Sequence, residues 1–252
     1  VQREIPGRYL EYILEAPTQL AYSINYTGSL KPNHIDVAQK SIYGGPHNTY
    51  SYAYNNIAAY KDENFVGNNN NYKTSIKPEV NSSAINNNFR RFTLTWQDVQ
   101  KNLYEHENFG GELRKSGAVK NILPADIKTI LKVEDKADAI LKFVQTNYKW
   151  NKETNVLADK GIRNLISTKS GNSADINLLL ILLLKDAGIE ANPVVLSTVQ
   201  RGALMTYLPS LYQLNYVIAQ LQIGKDAYVY DATYNYSSKD TLPPTALNYS
   251  VF

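Results

Sequence analysis

The stretch that most restricts the fold is Ser173–Gly188 (SADINLLLILLLKDAG), which holds seven consecutive apolar residues from Leu178 to Leu184. A surface helix keeps one face polar, whereas a helix that is apolar all round lies inside a protein core or a membrane. Seven residues fall far short of the roughly 20 that a bilayer crossing needs. The segment therefore reads as a central buried helix, with Gly188 as its left-handed C-terminal cap. Three apolar runs follow it: Pro193–Ser197 (PVVLS), Leu214–Gln222 (LNYVIAQLQ) and Ala227–Tyr230 (AYVY). They read as strands, the last two joined across the turn residues Gly224–Asp226. The pattern predicts a buried helix packed on an antiparallel sheet.

Upstream, Glu134–Asn147 sets Ala137, Ile140, Leu141, Val144 and Tyr148 along one helical stripe, ahead of a short strand-like Tyr148–Trp150. Ala158–Ile166 reads as a second short helix and Ser167–Gly171 as a turn. Thr95 followed by Asp98 resembles an N-cap with an acidic first turn, opening a helix from Trp96 to about His106. Before Thr95 the chain is rich in Tyr, Asn, Thr and Ser. Short alternating runs such as Tyr9–Leu14 (YLEYIL) and Ala21–Tyr26 (AYSINY) are interrupted there by the loop signals Asn68–Asn71, Asn86–Asn88 and residues 44–46 (GGP). The chain thus reads as an α+β protein. An incomplete, antiparallel β-sandwich-like domain is expected over residues 1–94, a helical connector over 95–130, and the helix-on-sheet core over 131–252.

Composition narrows the chemistry. The formal net charge is only +3, and no more than two basic residues adjoin (Arg90 and Arg91), so no nucleic-acid footprint is expected. There is no cysteine, which removes disulfides, thiolate metal sites and a cysteine nucleophile together. The histidines are three, His34, His47 and His106, without metal-ligand spacing. Asp62-Glu63 reads as a solvated loop pair. No cofactor or metal is expected, and no transmembrane segment or targeting segment is readable, VQREIPGRYL being polar.

Residues 171–198 (GNSADINLLLILLLKDAGIEANPVVLST), followed by LNYVIA and then YDAT, resemble the transglutaminase-like core of the papain-type fold. The flanking pattern agrees: Trp150 and Asn151, Ala187–Ile189 (AGI), Pro193, and Tyr230–Thr233. The resemblance covers roughly residues 130–235 and implies a papain-like core. In that family the helix opens with a cysteine in a Gly-x-Cys-x-Asp context, a histidine lies in an Asn-His-Val-like strand, and an aspartate follows in the next strand. Matched by position, Gly171 and Asp175 are retained, Ser173 stands at the nucleophile, Tyr216 at the histidine, and Asp231 is retained as third member. Asn56–Val66 (NIAAYKDENFV) and Arg91–Val99 (RFTLTWQDV) resemble the end of a β-sandwich domain of unknown function that precedes such cores in bacterial envelope proteins. That resemblance implies a periplasmic or cell-envelope location.

The family's chemistry needs a thiolate at a helix N-terminus, an imidazole to hold the proton and a carboxylate to orient it. A serine depends on its general base more than a cysteine does, and a phenol with a pKa near 10 is only about 0.1% ionised at pH 7. None of the three histidines has a motif that points to the core. Ser173 or Asn172 also suits an ordinary N-cap and Asp175 a first turn. Tyr216 equally suits a half-buried strand position and Asp231 a turn, and a buried Ser–Tyr–Asp network is a further expectation. The leading expectation is a catalytically degenerate transglutaminase-like protein, a pseudoenzyme that binds a peptide, protein or cell-envelope polymer in a relic cleft. The alternative is a serine-dependent acyl transferase or amidase/peptidase with Ser173 as nucleophile and Tyr216 as a base of depressed pKa.

Overall fold

A computed structural model describes residues 2–85, 88–92 and 95–248. The chain divides into two compact units, Val1–Leu94 and Thr95–Phe252.

The N-terminal unit carries strands β1 (Gly7–Pro17), β2 (Leu20–Thr27), β3 (His34–Ile42), β4 (Gly45–Ile57), β5 (Ser75–Ile85) and β6 (Asn88–Arg91). They form two antiparallel three-stranded sheets, ordered β1-β4-β3 and β2-β5-β6. Tyr52, Tyr54 and Ile57 of β4 are buried against Leu10 and Tyr12 of β1, Ile24 of β2 and Ile76 of β5, so the inner faces of both sheets share one core. This is the sandwich arrangement of alternating strands. The β3–β4 turn falls on Tyr43 and Gly44, both at positive φ (52° and 77°), not on residues 44–46. A two-residue turn with both centres left-handed matches the strand twist, which leaves Gly45 and Pro46 inside β4. Asn69–Asn71 form one 3₁₀ turn capped by the Asn68 side chain. The predicted loop at Asn86–Asn88 lies, in its first two residues, outside the described residues.

The C-terminal unit opens with α1 (Trp96–Glu105). Its capping box is reciprocal: Thr95 Oγ1 accepts from Asp98 N at 3.1 Å and Asp98 Oδ2 accepts from Thr95 N at 2.8 Å. Then come α2 (Ser116–Val119), α3 (Ala125–Thr129) and α4 (Val133–Asn147). The predicted stripe Ala137, Ile140, Leu141, Val144 and Tyr148 is buried throughout. Next follow β7 (Lys149–Trp150), α5 (Ile162–Thr168), β8 (Ser170–Gly171), α6 (Ser173–Asp186), β9 (Ala191–Leu196), β10 (Tyr216–Ile223) and β11 (Asp226–Tyr230). Strands β11-β10-β9 form an antiparallel sheet, and β7 pairs with β8 in parallel. Every residue of α6 from Ser173 to Leu184 is buried, because the helix packs on β10 and β9 and against α2, α4 and α5. Pro193 lies on the edge strand β9, where a missing N–H breaks no ladder.

Two expectations for the C-terminal unit need correction. The helix expected over Ala158–Ile166 starts only at Ile162. Gly161 sits at φ 80° ahead of it, and the Ala158 N–H is held by Asn108 O at 2.9 Å, so the backbone before Gly161 is committed elsewhere. Ser167–Gly171 is not a plain turn. Lys169 caps α5 in the left-handed region, and Ser170–Gly171 then pair with Lys149–Trp150.

Candidate functional site

The start of α6 is held by a closed set of backbone and side-chain bonds. Asn172, not Ser173, is the N-cap: its Oδ1 accepts from Asp175 N at 2.9 Å, and Asp175 Oδ2 accepts from Asn172 N at 3.0 Å. Asp175 Oδ1 also accepts from Gly161 N at 3.0 Å, which ties the start of α5 to that of α6. Burial raises the Asp175 carboxyl, against the lowering effect of the N–H groups of Asn172, Gly161 and Asp159. Gly171 makes room for this carboxylate. A Cβ at residue 171 would stand 2.7 Å from Asp175 Cβ, a spacing no side chain tolerates. The retained Gly171 and Asp175 are thus one structural device.

Ser173 is the first helical residue and is wholly buried. Its Oγ donates to Asn155 O and accepts from Asn155 N, both at 3.0 Å, while its backbone N–H donates to Glu153 O at 3.0 Å. The hydroxyl proton is therefore engaged by a carbonyl of the 153–155 loop. Tyr216, at the start of β10, is also wholly buried rather than half-buried. Its Oη donates to Asp231 Oδ2 at 2.8 Å and lies 2.6 Å from Thr233 Oγ1. The structure brings Tyr216 and Asp231 together but binds the Ser173 hydroxyl to Asn155, so the expected three-member Ser–Tyr–Asp network reduces to Tyr216–Asp231. The loop hydroxyl Thr233 and the helix amide Asn177 complete it.

Asn177 stands one turn after Ser173 and is fully buried. Its Nδ2 donates to Val217 O at 2.8 Å and to Asp231 Oδ1 at 3.2 Å, and its Oδ1 accepts from Ala232 N at 2.8 Å. It fastens α6 to β10 and to the turn after β11. Sequence reasoning passed over Asn177, although a lone amide in an otherwise apolar run was the available signal. Thr233 Oγ1 and N both donate to Asp231 Oδ1, at 2.7 and 2.8 Å.

The protons of this cluster can be counted. Tyr216, Thr233 and Asp231 make three mutual oxygen–oxygen contacts, at 2.8, 2.6 and 2.7 Å. Two hydroxyls supply only two protons for three contacts; a protonated Asp231 would supply the third, the Tyr216–Asp231 bond then running from carboxyl to phenol and Tyr216 donating to Thr233 Oγ1. Burial drives the Asp231 carboxyl upward in the same direction, against the hydrogen bonds it accepts from Thr233, Asn177 and Tyr216. Burial, and then the proximity of Asp231, push the Tyr216 phenol well above its ordinary value. Tyr216 is a neutral hydroxyl and not a base.

His34 and His47 belong to the N-terminal unit. His106 caps a local turn, its Nδ1 accepting from Asn108 N at 3.1 Å. Among the described residues, no group of three or more His, Cys, Asp or Glu is placed to hold a metal ion, and no helix is long and apolar enough to cross a membrane.

A groove borders the Tyr216–Asp231 cluster. One depression of about 480 Å³ reaches Thr233 and is lined by Tyr148, Trp150, Tyr234 and Tyr236 among others. A second, of about 570 Å³, shares Trp150, Lys152 and Tyr234 with the first and continues past Thr198, Arg201 and Asn215.

Residues 123–242 match the family model of the transglutaminase-like superfamily. The buried helix α6 packed on the antiparallel sheet β11-β10-β9 is consistent with the papain-like core of that class. This chain therefore carries a transglutaminase-like superfamily domain over residues 123–242, within its C-terminal unit. A putative protease from Parabacteroides distasonis has a similar structure, with a TM-score of 0.56 at 15% identity over 97% of this chain; the chain spans 46% of that protein's length. A putative cysteine protease from Cytophaga hutchinsonii aligns over 100% of this chain and 82% of its own, at 16% identity and a TM-score of 0.35. A TGase aligns over 85% of this chain and 47% of its own, at 11% identity and a TM-score of 0.31. No curated protein matches the sequence.

Proposed function

We propose that the transglutaminase-like domain is catalytically degenerate and that its relic cleft binds a peptide or an extended polymer without cleaving or cross-linking it. The observation that carries this reading is the state of the nucleophile's address. The Ser173 hydroxyl is buried and bonded in both directions to the Asn155 backbone. Attack on an acyl carbon requires an exposed oxygen with a base beside it. Here the hydroxyl proton goes to a carbonyl that cannot carry it away, and the phenol at the histidine's position is neutral and bonded to Asp231. The helix N-terminus that would stabilise an oxyanion is occupied by its own capping box.

A serine-dependent acyl transferase or amidase/peptidase is the competing reading, and it needs Ser173 uncovered and Tyr216 ionised. The bacterial envelope location implied by the family resemblance belongs to the same proposal, as the setting in which a polymer-binding module is useful. Treatment with a serine-directed fluorophosphonate, followed by intact mass measurement, tests the reading. No adduct is expected. Stoichiometric modification at Ser173, abolished by Ser173→Ala, would establish the acyl-transfer reading instead.

A further inference from the structure

We propose that the groove beside the Tyr216–Asp231 cluster takes an acidic oligosaccharide, a short run of carboxylate-bearing sugars. This names the ligand class of the cleft and so rests on the binding reading given above.

Three cations line the two joined depressions, Lys149, Lys152 and Arg201, and no aspartate or glutamate lines either among the described residues. A lining of one sign concentrates and orients a ligand of the other. The apolar part of the lining consists of the rings of Tyr148, Trp150, Tyr234 and Tyr236 and of Pro243 and Pro244, without one Leu, Ile, Val, Ala or Met. A groove for acyl chains or for aliphatic peptide side chains presents aliphatic walls. Flat rings beside hydroxyls and amides, such as those of Thr154, Asn215 and Asn235, instead match a sugar, which has an apolar C–H face and a polar edge.

The rings are also held in place. Trp150 Nε1 donates to Glu153 O at 2.7 Å, fixing the indole edge, and Lys152 Nζ lies 4.9 Å from its ring centroid. The turn that carries Tyr234 and Tyr236 is anchored from below by Gln145, whose Nε2 donates to Tyr234 O at 2.8 Å and Ser237 O at 2.9 Å. Tyr234 and Tyr236 stand with ring centroids 6.2 Å apart, and Tyr236 is 86% exposed, so its face is open to a ligand. The Lys152 ammonium beside Trp150 puts a carboxylate partner next to that ring.

The experiment uses the full chain and follows tryptophan fluorescence, with Trp96→Phe leaving Trp150 as the single reporter. Tetragalacturonate is titrated as the acidic sugar, maltotetraose as its neutral counterpart and tetraglutamate as an acidic peptide. The expected result is saturable quenching by tetragalacturonate that weakens with added salt, with a Kd at least about tenfold lower than those for maltotetraose and tetraglutamate. Lys152→Gln and Tyr236→Ala, both at exposed positions, are each expected to weaken it about tenfold. Tighter binding of tetraglutamate would overturn the proposal in favour of an acidic peptide, equal binding of maltotetraose would remove the role of the cations, and no binding by any probe would overturn it outright. Fluorophosphonate labelling is independent of all three, so failure of the sugar assignment is distinguishable from failure of the non-catalytic reading.

Discussion

Asp231 offers a sharp perturbation, because replacing it with asparagine keeps the shape of the cluster and removes only its ability to ionise. In Asp231→Asn the amide Nδ2 takes the place of Oδ2 and can donate to Tyr216, which keeps Thr233 Oγ1 as its acceptor, while Oδ1 still accepts from Thr233 and Asn177. Asp231→Ala is different. Tyr216 can still donate to Thr233 Oγ1, and Asn177 Nδ2 keeps Val217 O, but the Thr233 N–H and hydroxyl lose their acceptor. At about 1–3 kcal/mol for each buried group left unsatisfied, the alanine variant should lose roughly 2–5 kcal/mol and the asparagine variant less than about 1 kcal/mol at neutral pH.

The pH dependence follows from the sign of the shift. Burial raises the folded Asp231 carboxyl above an unfolded value of about 3.9. Its contribution is fully present below that unfolded value and is lost as pH rises through the folded one, at up to about 1.4 kcal/mol per pH unit. Asp231→Asn lacks this loss, so its stability relative to wild type should grow as pH rises from 4. Urea unfolding at pH 4 to 8, followed by tryptophan fluorescence, is the assay, since Trp96 and Trp150 both lie in the C-terminal unit. A wild-type-to-Asn difference that is flat with pH, or an Asn variant as unstable as the Ala variant, would refute the proton count and mean that the cluster uses an ionised carboxylate.

Two further substitutions probe the scaffold around the site. Gly171→Ala puts a Cβ 2.7 Å from Asp175 Cβ and should destabilise the C-terminal unit by about 1–3 kcal/mol, read from the same urea transition. Asn177→Leu fits an apolar helix but leaves Ala232 N and Val217 O without their partner, so it should cost about 2–4 kcal/mol despite the added hydrophobicity; a stabilised variant would show that the amide is not the clasp.

The architecture was legible wherever a local pattern and the tertiary environment agree. The all-apolar face of Ser173–Leu184 announced a central helix, and it is buried along that whole length. The stripe from Ala137 to Tyr148 faces the core as its spacing requires. Spacing alone could not locate the start of α5, since Gly161 at φ 80° and a bond from Ala158 to Asn108, 50 residues earlier in the chain, set it. The two-residue strand at Ser170–Gly171 exists only because Lys149–Trp150 lie beside it.

The candidate site divides in the same way. Tyr216 and Asp231 could be paired from their positions at the start of one strand and just past the end of the next. The partner of Ser173 could not, because it is a main-chain group 18 residues away in an irregular loop, and no side-chain signal marks it. The groove residues Tyr234 and Tyr236 are two of 20 tyrosines. What distinguishes them is the anchoring of their turn by Gln145 on α4.

The central claim is that the nucleophile's address is closed, and the absence of cysteine makes it directly measurable. Ser173→Cys introduces a single thiol at the position proposed to match the family's nucleophile. Its rate of alkylation by iodoacetamide at pH 7 is compared between the folded protein, verified by circular dichroism, and the same protein in urea. A thiol sealed beneath Asn155 with no imidazole beside it should react at least about a hundredfold more slowly in the folded state. Alkylation of the folded protein as fast as in urea, or faster, would mean an open and activated position, and would contradict the account.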